Sequence, residues 1–73
     1  MTEQEKIGKA LRYLRKSNTN YNVQEVADKI GKSKVWLSEL ETGKKNVFFK
    51  DVLALCKIYN CEISKVIEEM EKL

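Results

Sequence analysis

The sequence contains no histidine and no proline, and its 73 residues include only three glycines, two cysteines and one tryptophan. Without histidine, and with Cys56 and Cys61 outside any CxxC spacing, four zinc ligands cannot be gathered without unusual carboxylate help, so no metal site is expected. The lack of a glycine-rich phosphate loop, in a chain too short to enclose a pocket, leaves nothing that meets the needs of catalysis. No enzyme activity, cofactor or small-molecule ligand is therefore expected. No run approaches the roughly 18 apolar residues of a membrane span. The opening MTEQEKIGK holds no apolar signal core, so the expected compartment is the cytoplasm, without membrane association. Both cysteines fall at apolar positions of a helical pattern and read as buried free thiols in a reducing compartment.

What is present is charge and helical periodicity. Charged residues make up 34% and hydrophobic residues 42%, the balance of a compact helical protein rather than a disordered tail. A chain of this length makes one domain, residues 1–73, that buries a modest fraction of its surface, so a second interface is expected to contribute to its stability. The net charge of +3 is unevenly placed. Residues 29–50 carry six lysines against Glu39 and Glu41, a local +4. Residues 51–73 carry five acids against Lys57, Lys65 and Lys72, a local −2. One part of the chain is suited to face an anion and the other to avoid it.

Turn and cap signals divide the chain into five helices. Thr2 and Glu5 form a capping-box pattern, and Ile7, Ala10, Leu11 and Leu14 repeat at helical spacing, predicting a first helix from about 3 to 17. After the polar stretch SNTNYN, Asn22 caps a second helix with Glu25 at its third position and Val23, Val26, Ala27 and Ile30 along one stripe. Gly31 ends it in a left-handed cap, and Ser33 starts a third helix almost at once. A turn as short as Gly31-Lys32-Ser33 holds two helices at a fixed, steep angle, a helix-turn-helix over about 22–42. In the third helix Leu37 and Leu40 belong to the buried face, which turns Lys34, Val35, Ser38 and Glu39 outward. Beyond Gly43, Phe49, Val52, Leu53, Leu55, Cys56 and Tyr59 predict a fourth helix stopped at Asn60. Ile63, Val66, Ile67 and Met70 predict a fifth, over about 62–72.

In this order and spacing, the segments IGKALRYLRK, VQEVADKIGKSKVWLSELETGKKN and FKDVLALCKIYNCEISKVI resemble the helix-turn-helix domains of the phage repressor and Cro type. These form the XRE-like group of bacterial and phage transcriptional regulators. The most telling residues are Glu25-Val26-Ala27, Gly31, Ser33 and Leu40-Glu41-Thr42-Gly43-Lys44. The resemblance implies an all-α, compact five-helix lambda-repressor-like domain that binds double-stranded DNA in a sequence-specific way, with helices two and three as the helix-turn-helix. It also implies a structural ion pair between an arginine late in the first helix and a glutamate near the end of the recognition helix, positions matched by Arg15 and Glu41. The connection between the first two helices is one residue longer than the family's, which leaves Lys16 as the other candidate. Val23 stands where the family places a phosphate-binding glutamine, passing that contact to Gln24 or to the Asn22 backbone. Val47 and Phe48 replace the family's proline and capping Ser or Thr, so the start of the fourth helix stays open.

On this reading the lysines at both ends of the third helix acquire a purpose. Lys34 has the reach for guanine O6 and N7, Glu39 can accept from cytosine N4, Ser38 suits any base, and Val35 suits a thymine methyl. Ser33, Trp36, Lys44, Lys45 and Asn46 would hold the DNA backbone. Other readings stand beside these: Trp36 as partial core, Lys44 and Lys45 as a solvated turn compensating a helix dipole, Glu39 as a surface residue or one that repels wrong sequences. One recognition helix reads few base pairs, so a homodimer on a palindrome is expected, with half-sites roughly 34 Å apart. Its face would comprise Ile63, Val66, Ile67 and Met70, unless the first three are core and only Met70 is free. Steric occupation of a promoter makes repression the default expectation. The alternative is an antitoxin-like or antirepressor-like protein-interaction module, with DNA contact secondary or absent.

Overall fold

The computed structural model, which describes residues 1–73, contains five helices and no strand: α1 (Glu3–Asn18), α2 (Val23–Ile30), α3 (Lys34–Thr42), α4 (Phe49–Ile58) and α5 (Ile63–Glu71). The expected all-α, five-helix class is thus what the chain adopts. At the head of α1 the Thr2 hydroxyl accepts from the Glu5 amide at 3.1 Å, while the Thr2 amide donates to the Glu5 carboxylate at 2.8 Å. Asn22 and Glu25 make the same reciprocal pair at the head of α2, at 2.8 and 3.0 Å. The Ser33 hydroxyl accepts from the Trp36 amide at 3.0 Å to start α3. Each bond satisfies an amide that a helix start would otherwise leave without a partner.

Gly31 turns the chain from α2 into α3. Its φ of 73° is one that a side chain disfavours, and it lets the Lys32 amide close back on the Ala27 carbonyl at 2.9 Å. Gly8 has a different task. A Cβ there would lie 2.3 Å from the Leu40 carbonyl oxygen and 2.8 Å from that of Glu41, so only glycine lets α1 cross so close to the end of α3. The core gathers where α1 packs on α3 and α5 and α2 packs on α3 and α4, with Leu11, Leu14, Val26, Leu37, Leu40 and Leu55 fully buried. Tyr59 is buried with them, its hydroxyl without a hydrogen-bond partner. Burial raises the pKa of that phenol, the Glu41 carboxylate adds to the rise, and Arg15 opposes it.

Two sequence-based expectations change at this level. Phe49 and Leu53 lie on α4 as the pattern predicts, but they are 65% and 40% exposed, because the apolar residues of α4 cover more of its circumference than its neighbours do. Cys56 is buried as expected, but Cys61 is only half-buried, since it lies beyond the end of α4 in the turn that leads to α5. Val66 is 2% exposed and belongs to the core rather than to a free face, whereas Ile67 beside it is 52% exposed.

Candidate nucleic-acid interface

The site starts from a buried ion pair. Arg15 donates from Nε to Glu41 Oε2 at 2.8 Å and from Nη2 to Glu41 Oε1 at 3.0 Å, a two-pronged contact that fixes the angle of both side chains. Its third bond, from Nη1 to the Tyr21 carbonyl at 3.1 Å, ties down the connection between α1 and α2. Arg15 and Glu41 are 7% and 6% exposed, while Lys16 is exposed, so the pairing falls to Arg15 and not to Lys16. The hydrogen bonds to Glu41 raise the Arg15 pKa further, against the cost of burial. One side chain therefore holds the far end of α3 to α1 and to the connection ahead of α2.

Held in this way, α3 presents Lys34, Val35 and Ser38 to solvent, with Val35 65% exposed. Glu39 is half-buried rather than fully outward, because helical spacing places it between the exposed face and the stripe of Leu37 and Leu40. Trp36 packs in part against the core, and its outer ring face lies 5.4 Å from the Lys32 ammonium. Trp36 is half-buried, so part of its ring joins the core, and the cation above it lies on the turn. On the preceding segment Lys29 sits 4.6 Å from the centre of the Tyr21 ring.

Two helix starts carry unpartnered donors. The amides of Val23 and Gln24 on α2, and of Lys34 and Val35 on α3, have no acceptor within the chain. Such amides, at the positive end of a helix dipole, suit a phosphate oxygen. The Asn22 amide is not among them, because Glu25 already accepts from it, so the backbone donors at this end begin one residue later. The Gln24 side chain donates to Asp28 at 2.8 Å on an exposed surface. The Ser33 oxygen accepts the Trp36 amide and its hydroxyl hydrogen stays available. After Gly43, Lys44 is exposed and Lys45 half-buried, while Asn46 is engaged by the Gln4 side chain of α1.

Elsewhere, α5 places Ile63 and Met70 half-buried and Ile67 outward, with Val66 beneath them. Together with Ile7, Val47 and Phe49 they line an open apolar groove of about 290 Å³. Phe48 stands nearby in sequence and is 64% exposed. The sequence reading missed Gly8, the Tyr21 carbonyl, Gln4 and the two phenylalanines. Only Gly8 carried a signal, being a helix-weakening residue inside a strong helical pattern.

A short glycine turn between two helices, the second braced by a buried ion pair and showing a polar face, defines a helix-turn-helix protein. The chain belongs to the family of helix-turn-helix domains, whose sequence model matches residues 6–66. Two crystal structures of the clp gene regulator ClgR from Corynebacterium glutamicum are similar to it over 99% of this chain, each at 28% identity. Their TM-scores are 0.91 and 0.92, with 91% and 76% of those chains covered. No match is found among curated protein sequences.

Proposed function

We propose that this protein is a DNA-binding transcriptional regulator that reads double-stranded DNA with α3. The observation that carries the reading is the exposed face of α3 itself: Lys34 and Val35, whose helix-start amides are free, and Ser38 one turn on, with the helix braced from behind by Arg15 and Glu41. Lys34 reads guanine, Val35 a thymine methyl, and Ser38 and Glu39 complete the base contacts. The half-buried position of Glu39 suits it to accept from one cytosine amine rather than to range over several bases. Backbone phosphates are held by Gln24, Ser33, Lys44 and Lys45, and by the helix-start amides. Trp36 supports this face through its packing.

The working unit is a homodimer on an inverted repeat, acting as a repressor by occupying a promoter. Ile63, Ile67 and Met70, joined by Phe48 and Phe49, form its contact face, with Val66 in the core behind them. The relationship to a clp gene regulator supports a role in transcription. The apolar groove also suits a second reading, in which the chain serves mainly as a protein-interaction module of the antitoxin or antirepressor kind.

The deciding experiment selects from a random double-stranded DNA library at physiological salt, where nonspecific phosphate binding is weakened. An enriched inverted repeat is expected, and its spacing gives the dimer geometry. A folded protein that enriches nothing sinks the DNA-reading proposal and favours the interaction module.

A further inference from the structure

Where α4 gives way to α5 the chain turns through Asn60, which has a φ of 55°. The Cys61 amide donates to the Cys56 carbonyl at 3.0 Å, the bond that closes a helix end of the Schellman type. That closure places the side chains of its first and last residues against each other, ordinarily as a small apolar contact. Here both are cysteines and both are free thiols. Two observations separate them from an inert pair. Cys56 is 4% exposed whereas Cys61 is half-buried, and together with Lys57, Asn60 and Glu62 they line a solvent-open hollow of about 490 Å³.

We propose that Cys56 and Cys61 form a reversible thiol-disulfide pair, oxidised within a single chain by hydrogen peroxide. The bond between the Cys61 amide and the Cys56 carbonyl draws the two backbones together, and both side chains border one hollow, which is the proximity a disulfide requires. Burial pushes the Cys56 thiol up to about 11, and the neighbouring Cys61 thiol adds in the same direction, so Cys56 stays protonated and the more accessible Cys61 reacts first. The Cys61 thiolate attacks one peroxide oxygen. An S–O bond forms, the O–O bond breaks, and the departing hydroxide leaves as water with the proton that Cys61 gave up. The Cys56 sulfur then attacks the sulfenic acid. The S–S bond forms, the S–O bond breaks, and the Cys56 proton leaves with the hydroxide as a second water. Two thiols and one peroxide become one disulfide and two waters, with two electrons passing from sulfur to oxygen. The cross-link stiffens the joint from which α5 starts, two residues after Cys61.

The test exposes the reduced full chain to a small excess of hydrogen peroxide and measures intact mass, alkylatable thiols and the linked peptides. Expected are a loss of two hydrogens per monomer, loss of both thiols, one peptide pair joined through Cys56 and Cys61, unchanged helical circular dichroism, and full reversal by dithiothreitol. Cys61→Ser should slow thiol loss about tenfold or more, since the remaining thiol is buried. Cys56→Ser should leave a sulfenic acid on Cys61 that dimedone traps. Thiols that persist in the folded wild-type chain, or disulfides that join two chains, overturn the proposal even if either serine variant fails to fold. None of these readouts involves DNA, so the result is independent of the base-reading proposal.

Discussion

From α1 to α3 every helix starts on a side chain that accepts a backbone amide, supplied by Thr2, Asn22 and Ser33, whereas α4 and α5 start at Phe48 and Glu62 with no such bond. Charge divides in a similar way, at +4 over residues 29–50 and −2 over residues 51–73. The apolar groove falls mainly on the second region, lined by Phe49 and Ile67 among others. The first region closes its helix starts with side-chain caps and fixes one helix in space, which is what a surface that reads another molecule requires. The second starts its helices on backbone carbonyls alone, Phe48 accepting from the Asp51 amide and Glu62 from the Lys65 amide at 3.0 Å, and leaves apolar side chains outside, which suits an interface that is completed on assembly.

The comparison breaks most severely at Arg15. Arg15→Ala strands the Glu41 carboxylate in the interior and also frees the Tyr21 carbonyl, so a loss of about 3–5 kcal/mol is expected from chemical denaturation. Replacing both partners, as Arg15→Met with Glu41→Leu, should recover much of that loss, because no charge is then left buried. If the single variant keeps wild-type stability, the first region does not depend on this brace. Gly8→Ala comes next. The added carbon meets backbone oxygens of Leu40 and Glu41, which cannot swing aside as a side chain would, and a cost of about 3 kcal/mol follows. A stability within error of wild type would mean that α1 and α3 separate freely.

Lys34→Ala probes the presented face rather than its support. Stability should hold, since Lys34 is exposed, and discrimination at one base position per half-site should fall by about 1–3 kcal/mol. Equal weakening on every sequence, measured across operator variants, would reassign Lys34 to a phosphate.

The starts of α1, α2 and α3 were legible in the sequence because each is decided by residues two or three apart: Thr2 with Glu5, Asn22 with Glu25, Gly31 with Ser33. The choice between Arg15 and Lys16 was also within reach, since Arg15 lies one turn after Leu11 on the buried face while Lys16 does not. What stayed hidden depended on partners far along the chain. Gly8 looks like a weak point in a helix until Leu40 and Glu41 arrive above it, and Val66 and Ile67 look alike until the packing of α5 buries one and exposes the other. Local pattern names the apolar residues, and the count of neighbours available to cover them decides which remain outside.

The smallest effect is the most discriminating. Phe48→Ser places a hydroxyl where α4 lacks a side-chain cap, as a second acceptor for the Asp51 amide that the Phe48 carbonyl already takes at 3.0 Å, and should raise monomer stability by about 0.5 kcal/mol. It also removes an aromatic that is 64% exposed. If that aromatic serves assembly, the same change that raises thermal stability at low concentration should weaken self-association in sedimentation and lower affinity for a palindrome, but not for a single half-site. Better stability with unaltered association would leave Phe48 as an uncorrected flaw in the monomer, and the contact face would then shrink to Phe49 and the exposed side of α5. Opposite signs for stability and assembly, in one substitution, would show that the second region leaves apolar side chains outside because its partner is a second copy of this chain.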